Sequence, residues 1–513
     1  MVTGRRFVPP SPPSRWRLWT VLGLVLAIAA ALFTVRVVDA REESARSCAA
    51  GVRRQGPGGE CVGVTDGGYV FNPALAEVSR KIEAENRRVA ESGEDWVAIA
   101  YTESMTRAGD QAPTSDRGPD VVRQAVEGAY LAQMELNHQG GHGRTPQIRL
   151  LLANSGQGGA QWRPLVDQLV RLRQDPDQRL VGVAGFGQSL ATTERSVRAL
   201  RAAGIPMIGS TVAADRLSGE RPVFFRVSSP NRDQTSIAAE HLRRLQRRDP
   251  GYRVDVVKDI KEDDAYNASL YEDFDRARRA RGLRLETEDG YPFVSGSPSA
   301  ATALATIAET VCRPERRLDA VYFAGRGREL KLLLEALTAP GRDCPITVYS
   351  GSSALGIFYD PPVRGTDAVG GDVLERWRKS RVHVLYTAYA HPDGARRIYR
   401  GGENPYPAFQ RAYHLAFGGD RELQSGQAMM GHDAVLALGE AIRDAAGPKG
   451  SDAVDAEGVR NMLLQLGKRE PLHGLSGPIS FDERGDPRHK PMALVELRPE
   501  EDRRYTFRET VRP

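Results

Sequence analysis

WVAIAY (residues 96–101), DVVRQAVEGAYLAQMELNHQ (120–139), IRLLLANS (148–155) and QWRPLVDQLVRLRQ (161–174) set out the plan of this chain. The first and third are short apolar runs. The second and fourth are longer, with apolar residues three and four positions apart. Short continuous apolar runs read as strands buried on both faces, and the 3.6-residue period reads as a helix packed on them. The alternation continues through LVGVAGF (180–186), a helix after Ser189, IPMIGS (205–210) and FFRVSS (224–229). A second series opens at RVDVVKDI (253–260). It runs through a helix over 265–281, LRLETEDGYPF (283–293), a helix over 298–311, LDAVYFAG (318–325), a helix over 328–337 and ITVYSG (346–351). Strand–helix alternation requires crossovers onto a parallel sheet, so two series predict two α/β lobes. HVLYTAYAH (383–391) leads to helices around 406–417 and from His432 to Ala446 that complete the first lobe, and GPISFDERGD (477–486) and PMALVEL (491–497) read as late strands joined by a turn at Gly485-Asp486.

Toward the N-terminus the pattern changes. Leu18 to Val35 is an uncharged apolar run, preceded by Arg5, Arg6, Arg15 and Arg17 and followed by Asp39, Glu42 and Glu43. A bilayer core of roughly 30 Å needs about 20 helical residues. Residues 18–38 are therefore read as a transmembrane helix or uncleaved signal anchor, with 1–17 a disordered cytoplasmic tail and the rest extracytoplasmic. Val38-Asp39-Ala40 also resembles a cleavage site, so secretion after cleavage near Ala40 is the alternative. Residues 39–93 read as a Gly-rich connector carrying an amphipathic helix over 74–90, with Leu75, Val78, Ile82 and Val89 on one face. Four cysteines form two local pairs, Cys48 with Cys61 and Cys312 with Cys344. Export to an oxidising compartment favours two structural disulfides, although four cysteines allow three connectivities.

The 513 residues carry 71 basic and 66 acidic side chains, a net charge of +5 spread along the chain, which gives no basic patch for nucleic acid. No CxxC or HExxH spacing occurs, and Gly140 and Gly141 break any helix that would align His138 with His142, so no metal site and no cofactor are expected. Ser189 lies in GFGQSLA, which lacks the second Gly of a nucleophile elbow, and no catalytic partners are identifiable. The reading is of a protein that is not an enzyme. Glu262-Asp263-Asp264 is read as an acidic lead into a helix N-terminus, and Asn267-Ala268-Ser269 fits a glycosylation sequon.

In open parallel sheets, ligands bind beyond the carboxyl ends of the strands. Four loops at such positions are rich in Gly and hydroxyl residues: AGFGQSLATTE (184–194), IGSTVAAD (208–215), FAGRGRE (323–329) and YSGSS (349–353). Together they predict a cleft between lobes. GPDVVRQAVEGAYLAQMELNHQGG (118–141) with IRLLLAN resembles the opening of the branched-chain-amino-acid-binding (leucine-binding) proteins, type I periplasmic binding proteins that serve ABC transporters. The similarity continues through VAGFGQSLATTERSVRALRAAGIPMIGSTVAADRL (183–217), PVFFRVSSPNRDQ (222–234), DAYNASLYEDF (264–274), LDAVYFAG and GPISFDERGD, covering about Trp96 to Leu497.

The resemblance implies two α/β lobes joined by three crossing strands, near Val227–Asn231, Tyr389–Pro392 and Leu475–Ser480. Lobe 1 takes 94–228 and 391–475, and lobe 2 takes 229–390 and 476–510. It further implies that Ser189 holds a ligand carboxylate with amides around Gly187 and Thr192, and that Tyr266 closes over the ligand from the second lobe. Three departures from the family pattern bear on the substrate. Ala213 stands where a Thr is common, with Ser210 and Thr211 close by. Gly351 stands where an acid pairs the ligand ammonium, and Arg326 where an aromatic is common. A buried, unpaired ammonium costs several kcal/mol, so the expected ligand is anionic or uncharged and polar, with Arg326 available to an anion. The implied role is a tethered solute-binding protein partnered by an ABC permease; the alternative is a ligand-sensing receptor signalling through a partner membrane protein.

Overall fold

Strands buried on both faces need helices above and below them, and the computed structural model shows two sheets covered in this way. It describes residues 16, 19–26, 28, 46–106, 118–138, 145–220, 222–262, 264–315, 317–359, 370–399, 403–419, 421–468, 472–500 and 504–512. The first sheet has the order β1 (Ser47–Ala49), β2 (Val52–Gln55), β3 (Glu60–Thr65), β5 (Gln147–Asn154), β4 (Trp96–Glu103), β6 (Leu180–Gly185), β7 (Met207–Gly209) and β8 (Phe224–Arg226). From β5 to β8 the pairings are parallel, whereas β1, β2 and β3 join antiparallel. The second sheet has the order β10 (Tyr291–Phe293), β9 (Val254–Asp259), β11 (Ala320–Ala324), β12 (Ile346–Ser350), β13 (Val382–Ala388), β16 (Met492–Leu497) and β17 (Tyr505–Val511), the last two antiparallel. Strands β14 (Leu472–Gly474) and β15 (Gly477–Ile479) make a separate hairpin.

The stretch expected to be a connector is part of the first lobe. Strand β3 pairs with β5, which would otherwise be a sheet edge. Helix α1 (Ala76–Glu91) buries Val78, Ile82 and Val89, with Leu75 just before it. Each such side chain contributes about 1.5–3 kcal/mol. Within α1, Asn86 Nδ2 donates to the carbonyls of Asp66 and Leu150, and its Oδ1 accepts from Leu150 N–H, which fixes the helix to β5. The lobe therefore begins with β1 and not at residue 94. Short, Gly-containing antiparallel strands lack the continuous apolar run that marks the parallel ones. Both cysteine pairs are disulfides, Cys48–Cys61 and Cys312–Cys344.

Of the N-terminal apolar run, residues 19–26 and 28 are described and are helical and exposed; the rest of 18–38 lies outside the described residues. No helix among the described residues is long and apolar enough to cross a membrane. Helix α2 (Pro119–His138) packs closely on the long helix Gln427–Ala446, where a Cβ on Gly431 would collide with the Ala125 carbonyl. His142 lies outside the described residues.

The chain passes between sheets three times. Two passages, at 227–230 and 389–391, fall where expected, between β8 and α5 (Asn231–Arg248) and after β13. The third was expected near Leu475–Ser480 but comes later, at 488–491. Leu475 N and Ser476 N donate to Asp433 on the helix Gln427–Ala446, Phe481 packs edge-on against Phe225 at 5.2 Å, and Arg226 N donates to Gly485 O, so residues up to Asp486 stay with the first lobe.

Where the first and third passages meet, Asp486 accepts from Arg226 Nε and Arg232 Nη2, both at 2.7 Å, and from Ser218 Oγ. Arg226 also donates to Ala214 O at 2.9 Å. Arg226 is 0% and Asp486 1% exposed. Burial opposes the Asp486 charge, but the two arginines outweigh it and hold the carboxyl below its ordinary range. A depressed carboxyl stabilises the fold above its unfolded pKa, and that contribution is lost as pH falls through the folded value. Asp486→Ala should cost about 3–5 kcal/mol at pH 7 in urea denaturation, and the gap to wild type should shrink as the pH is lowered below about 4. Asp273, on α6 (Ala265–Arg281), has the opposite sign: burial and the neighbouring Asp215 push it up to about 7. The folded chain then holds an extra proton between about pH 4 and 7, so stability falls as pH rises through that window. Asp273→Asn should remove this fall, measured by the same titration.

Candidate functional site

The loop after β6 is built around three consecutive residues with positive φ: Gly185 (102°), Phe186 (70°) and Gly187 (45°). A bulky residue such as Phe186 adopts this region only when its surroundings enforce it. Here Phe186 N donates to Thr102 O, Ser210 N and Oγ both donate to Gly185 O, and Thr211 Oγ1 donates to Gly187 O at 2.6 Å. A side chain at Gly187 would collide with the Glu103 carboxylate, so glycine is required there. The loop delivers Ser189, 2% exposed, whose Oγ accepts from Ala213 N (2.9 Å) and Ala214 N (3.0 Å). The hydroxyl hydrogen remains to be donated. Ser189 does not cap the next helix, α4 (Ala191–Ala202), which begins after Leu190 without a side-chain cap.

The second lobe answers with three loops. After β9, Asp264 caps α6 by accepting from Tyr266 N and Asn267 N, both at 3.1 Å. Asn267 is fully buried and donates to Asp259, so the sequon offers no accessible glycosylation site in the folded chain. After β11, Arg326 precedes α8 (Gly327–Leu337) and donates from Nε to Asp264 Oδ2 at 2.5 Å and from Nη2 to Asp264 Oδ1 at 2.7 Å. The guanidinium lies over the Tyr266 ring, 5.1 Å from its centroid. Burial works against the Arg326 charge, yet the Asp264 carboxylate holds its pKa above the ordinary value. The fork expected to receive an anionic ligand is therefore occupied by Asp264, which corrects the sequence reading of a free guanidinium; the partner is a residue read from sequence only as an acidic lead into a helix. After β12, a Cβ on Gly351 would lie 2.5 Å from Tyr266 Oη. The Tyr266 hydroxyl thus fills the space that a side chain at 351 would need.

These loops enclose a cavity of about 60 Å³ between the lobes. Gly187, Ser189 and Thr211 line it from the first lobe and Tyr266 and Arg326 from the second. Ser210 and Ala213 are fully buried behind the loop, and Gly351 lies behind Tyr266. Thr192 faces a separate cavity of about 40 Å³ within the first lobe and donates to Gly158 O at 2.9 Å. Gln188 lines both cavities. Sequence reasoning missed Gln188, Ser352, Ser353, Tyr389 and Gln427, which also line the interlobe cavity. The serines lie in the SGSS loop and Tyr389 in a predicted crossing, whereas Gln427 carries no local signal. Burial keeps the Tyr389 phenol protonated well past neutrality. No Asp or Glu lines the cavity among the described residues, so the site offers dipoles and one internally neutralised ion pair.

The leucine binding protein LivK of Thermotoga maritima superposes with a TM-score of 0.57 at 18% identity, covering 81% of this chain and 99% of that one. The fold is that of the type I periplasmic binding proteins. The branched-chain amino acid transporter substrate binding protein LivJ of Streptococcus pneumoniae, solved with isoleucine, matches at TM-score 0.56 and 17% identity over 82% of this chain and 100% of that one. A solute binding protein of an ABC transporter from R. palustris, solved with benzoate, matches at TM-score 0.54 and 14% identity over 82% and 97%. No protein-family model matches the chain, and no curated protein matches it. The type I fold thus houses ligands with and without an ammonium group among these relatives.

Gly351→Ala should destabilise the protein by about 1–3 kcal/mol through overpacking against Tyr266. Because the clash is with the hydroxyl, adding Tyr266→Phe should recover part of that loss, giving a coupling term in a double-mutant cycle of melting curves.

Proposed function

We propose that the chain is a non-enzymatic, extracytoplasmic solute-binding protein, tethered by residues 18–38, that captures a small polar solute without an ammonium group and presents it to an ABC permease. The observation that carries this reading is the composition of the interlobe cavity among the described residues: hydroxyls and amides converge on it, its one guanidinium is neutralised by Asp264, and no carboxylate lines it. A carboxylate ligand has the Ser189 hydroxyl as donor, and an uncharged polar ligand has the same donor together with Tyr389. An α-ammonium would find no carboxylate to pair with among the described residues that line the cavity. The relative solved with benzoate supports a carboxylate without an ammonium as a ligand of this fold.

Cys48, the nearest cysteine after the apolar run, is bonded to Cys61 and has no thiol for lipid attachment. That favours a protein tether. A tether close to the bilayer equally suits the second reading, a ligand sensor that signals through a partner membrane protein.

The test is a thermal-shift screen of the full chain in detergent against monocarboxylates, uncharged polar solutes, amino acids and sugars. A ligand at 100 times its Kd should add about 2.7 kcal/mol of stability. Hits confined to compounds without an ammonium support the proposal; hits confined to α-amino acids, or none in any class, overturn it.

A further inference from the structure

The side chain that neutralises Asp264 also reaches the other lobe. Arg326 Nη2 carries two hydrogens: one goes to Asp264 Oδ1 at 2.7 Å and the other to the carbonyl of Ser189 at 3.1 Å, across the cleft. One nitrogen thus belongs to both lobes. We propose that Arg326 is an interlobe latch, which holds the cleft closed before any ligand arrives and positions the Ser189 peptide from the opposite lobe.

Both ends of this bond are rigid. On the second lobe, Arg326 is 7% exposed and its planar fork is fixed by two bonds to Asp264, which is itself fixed by two α6 amides. The Tyr266 ring lies against the guanidinium. On the first lobe, Ser189 is held by the Ala213 and Ala214 amides, at the end of a loop whose positive-φ residues are tied down by Thr102, Ser210 and Thr211. Preorganised partners lose little freedom when they meet, so more of the hydrogen bond's strength is kept. The donor is charged and the bond sits out of water, which places it in the stronger class of hydrogen bonds. Beside it, Val121 of α2 packs into the apolar cluster of the second lobe with Leu355 and Ile357, sealing the closed edge without fixing its direction.

Opening the lobes would let water satisfy both the freed N–H and the Ser189 carbonyl, so the latch is reversible. Loss of a charged hydrogen bond of this kind shifts the closed-to-open ratio by roughly ten- to a hundredfold. The ligand then enters through the minor open state, and its apparent affinity is reduced by the fraction that is open. This inference concerns the ligand-free protein and stands apart from the ligand class proposed above, so failure of either leaves the other intact.

The test is a double spin-label distance measurement on the ligand-free full chain. Labels go at the exposed Arg195→Cys on α4 and Glu262→Cys in the loop after β9, one on each side of the cleft. The latch predicts one short distance for the wild-type background. Arg326→Lys keeps a cation beside Asp264 but cannot fork to Asp264 and Ser189 together; it should move most of the population to a longer distance. A wild-type background that already shows mainly the long distance overturns the latch without any Arg326 variant. So does an Arg326→Lys distribution that matches wild type.

Discussion

One buried carboxylate sets the relation between the two lobes. Asp486 receives Arg226 from the last strand of the first sheet, Arg232 from the first turn after the first crossing, and Ser218 from the loop before that strand. Residues 218–232 thus meet a carboxylate remote from them in sequence and with almost no solvent access. Two arginines on one aspartate leave a positive excess, which Arg226 spreads onto the Ala214 carbonyl and Arg232 onto Asp215. Buried charges of this kind are costly to bring together but more costly to separate. Through Arg232 the contact ties the stretch before the third passage to the helix that follows the first. The cleft loops follow other strands, β6, β9, β11 and β12.

The cleft itself is electrically quiet. Among the described residues that line it, Arg326 is the one guanidinium and has an internal counter-ion, the loop after β6 presents amides and hydroxyls, and Gly351 is covered by Tyr266. A site of this kind selects by exclusion as much as by attraction, because a charged group without a partner bears its full desolvation cost in a small closed space. Of the structures with the same fold, one is a leucine binding protein and two were solved with isoleucine or benzoate. The backbone plan is shared with them at 14–18% identity, and the chemistry is set by a few side chains on the loops.

Much of the fold was legible in the sequence because parallel strands covered on both faces are written as continuous apolar runs. WVAIAY, IRLLLAN and LDAVYFAG all became central strands. The antiparallel additions were not legible: SCA, VRRQ and ECVGVT look like linker because short Gly-flanked strands carry no periodic signal. The third crossing was misplaced because the interactions holding residues 475–486 come from Asp433, Phe225 and Arg226, all remote in sequence. Ser189 and Tyr266, singled out by motif, line the interlobe cavity, whereas Gly351, singled out by a departure from motif, lies behind Tyr266. The pairing of Arg326 with Asp264 was hidden by a sequence separation of 62, and it decides whether the arginine serves the ligand or the protein.

The central claim, that the cleft has no place for an ammonium, is tested most directly by calorimetry with matched pairs that differ only in that group: L-leucine against 4-methylpentanoate, and L-alanine against propanoate. The structure predicts that the acid lacking the ammonium binds at least about tenfold more tightly in whichever pair fits, the factor that about 1.4 kcal/mol of uncompensated desolvation would give. Tighter binding of the amino acid in either pair would contradict it.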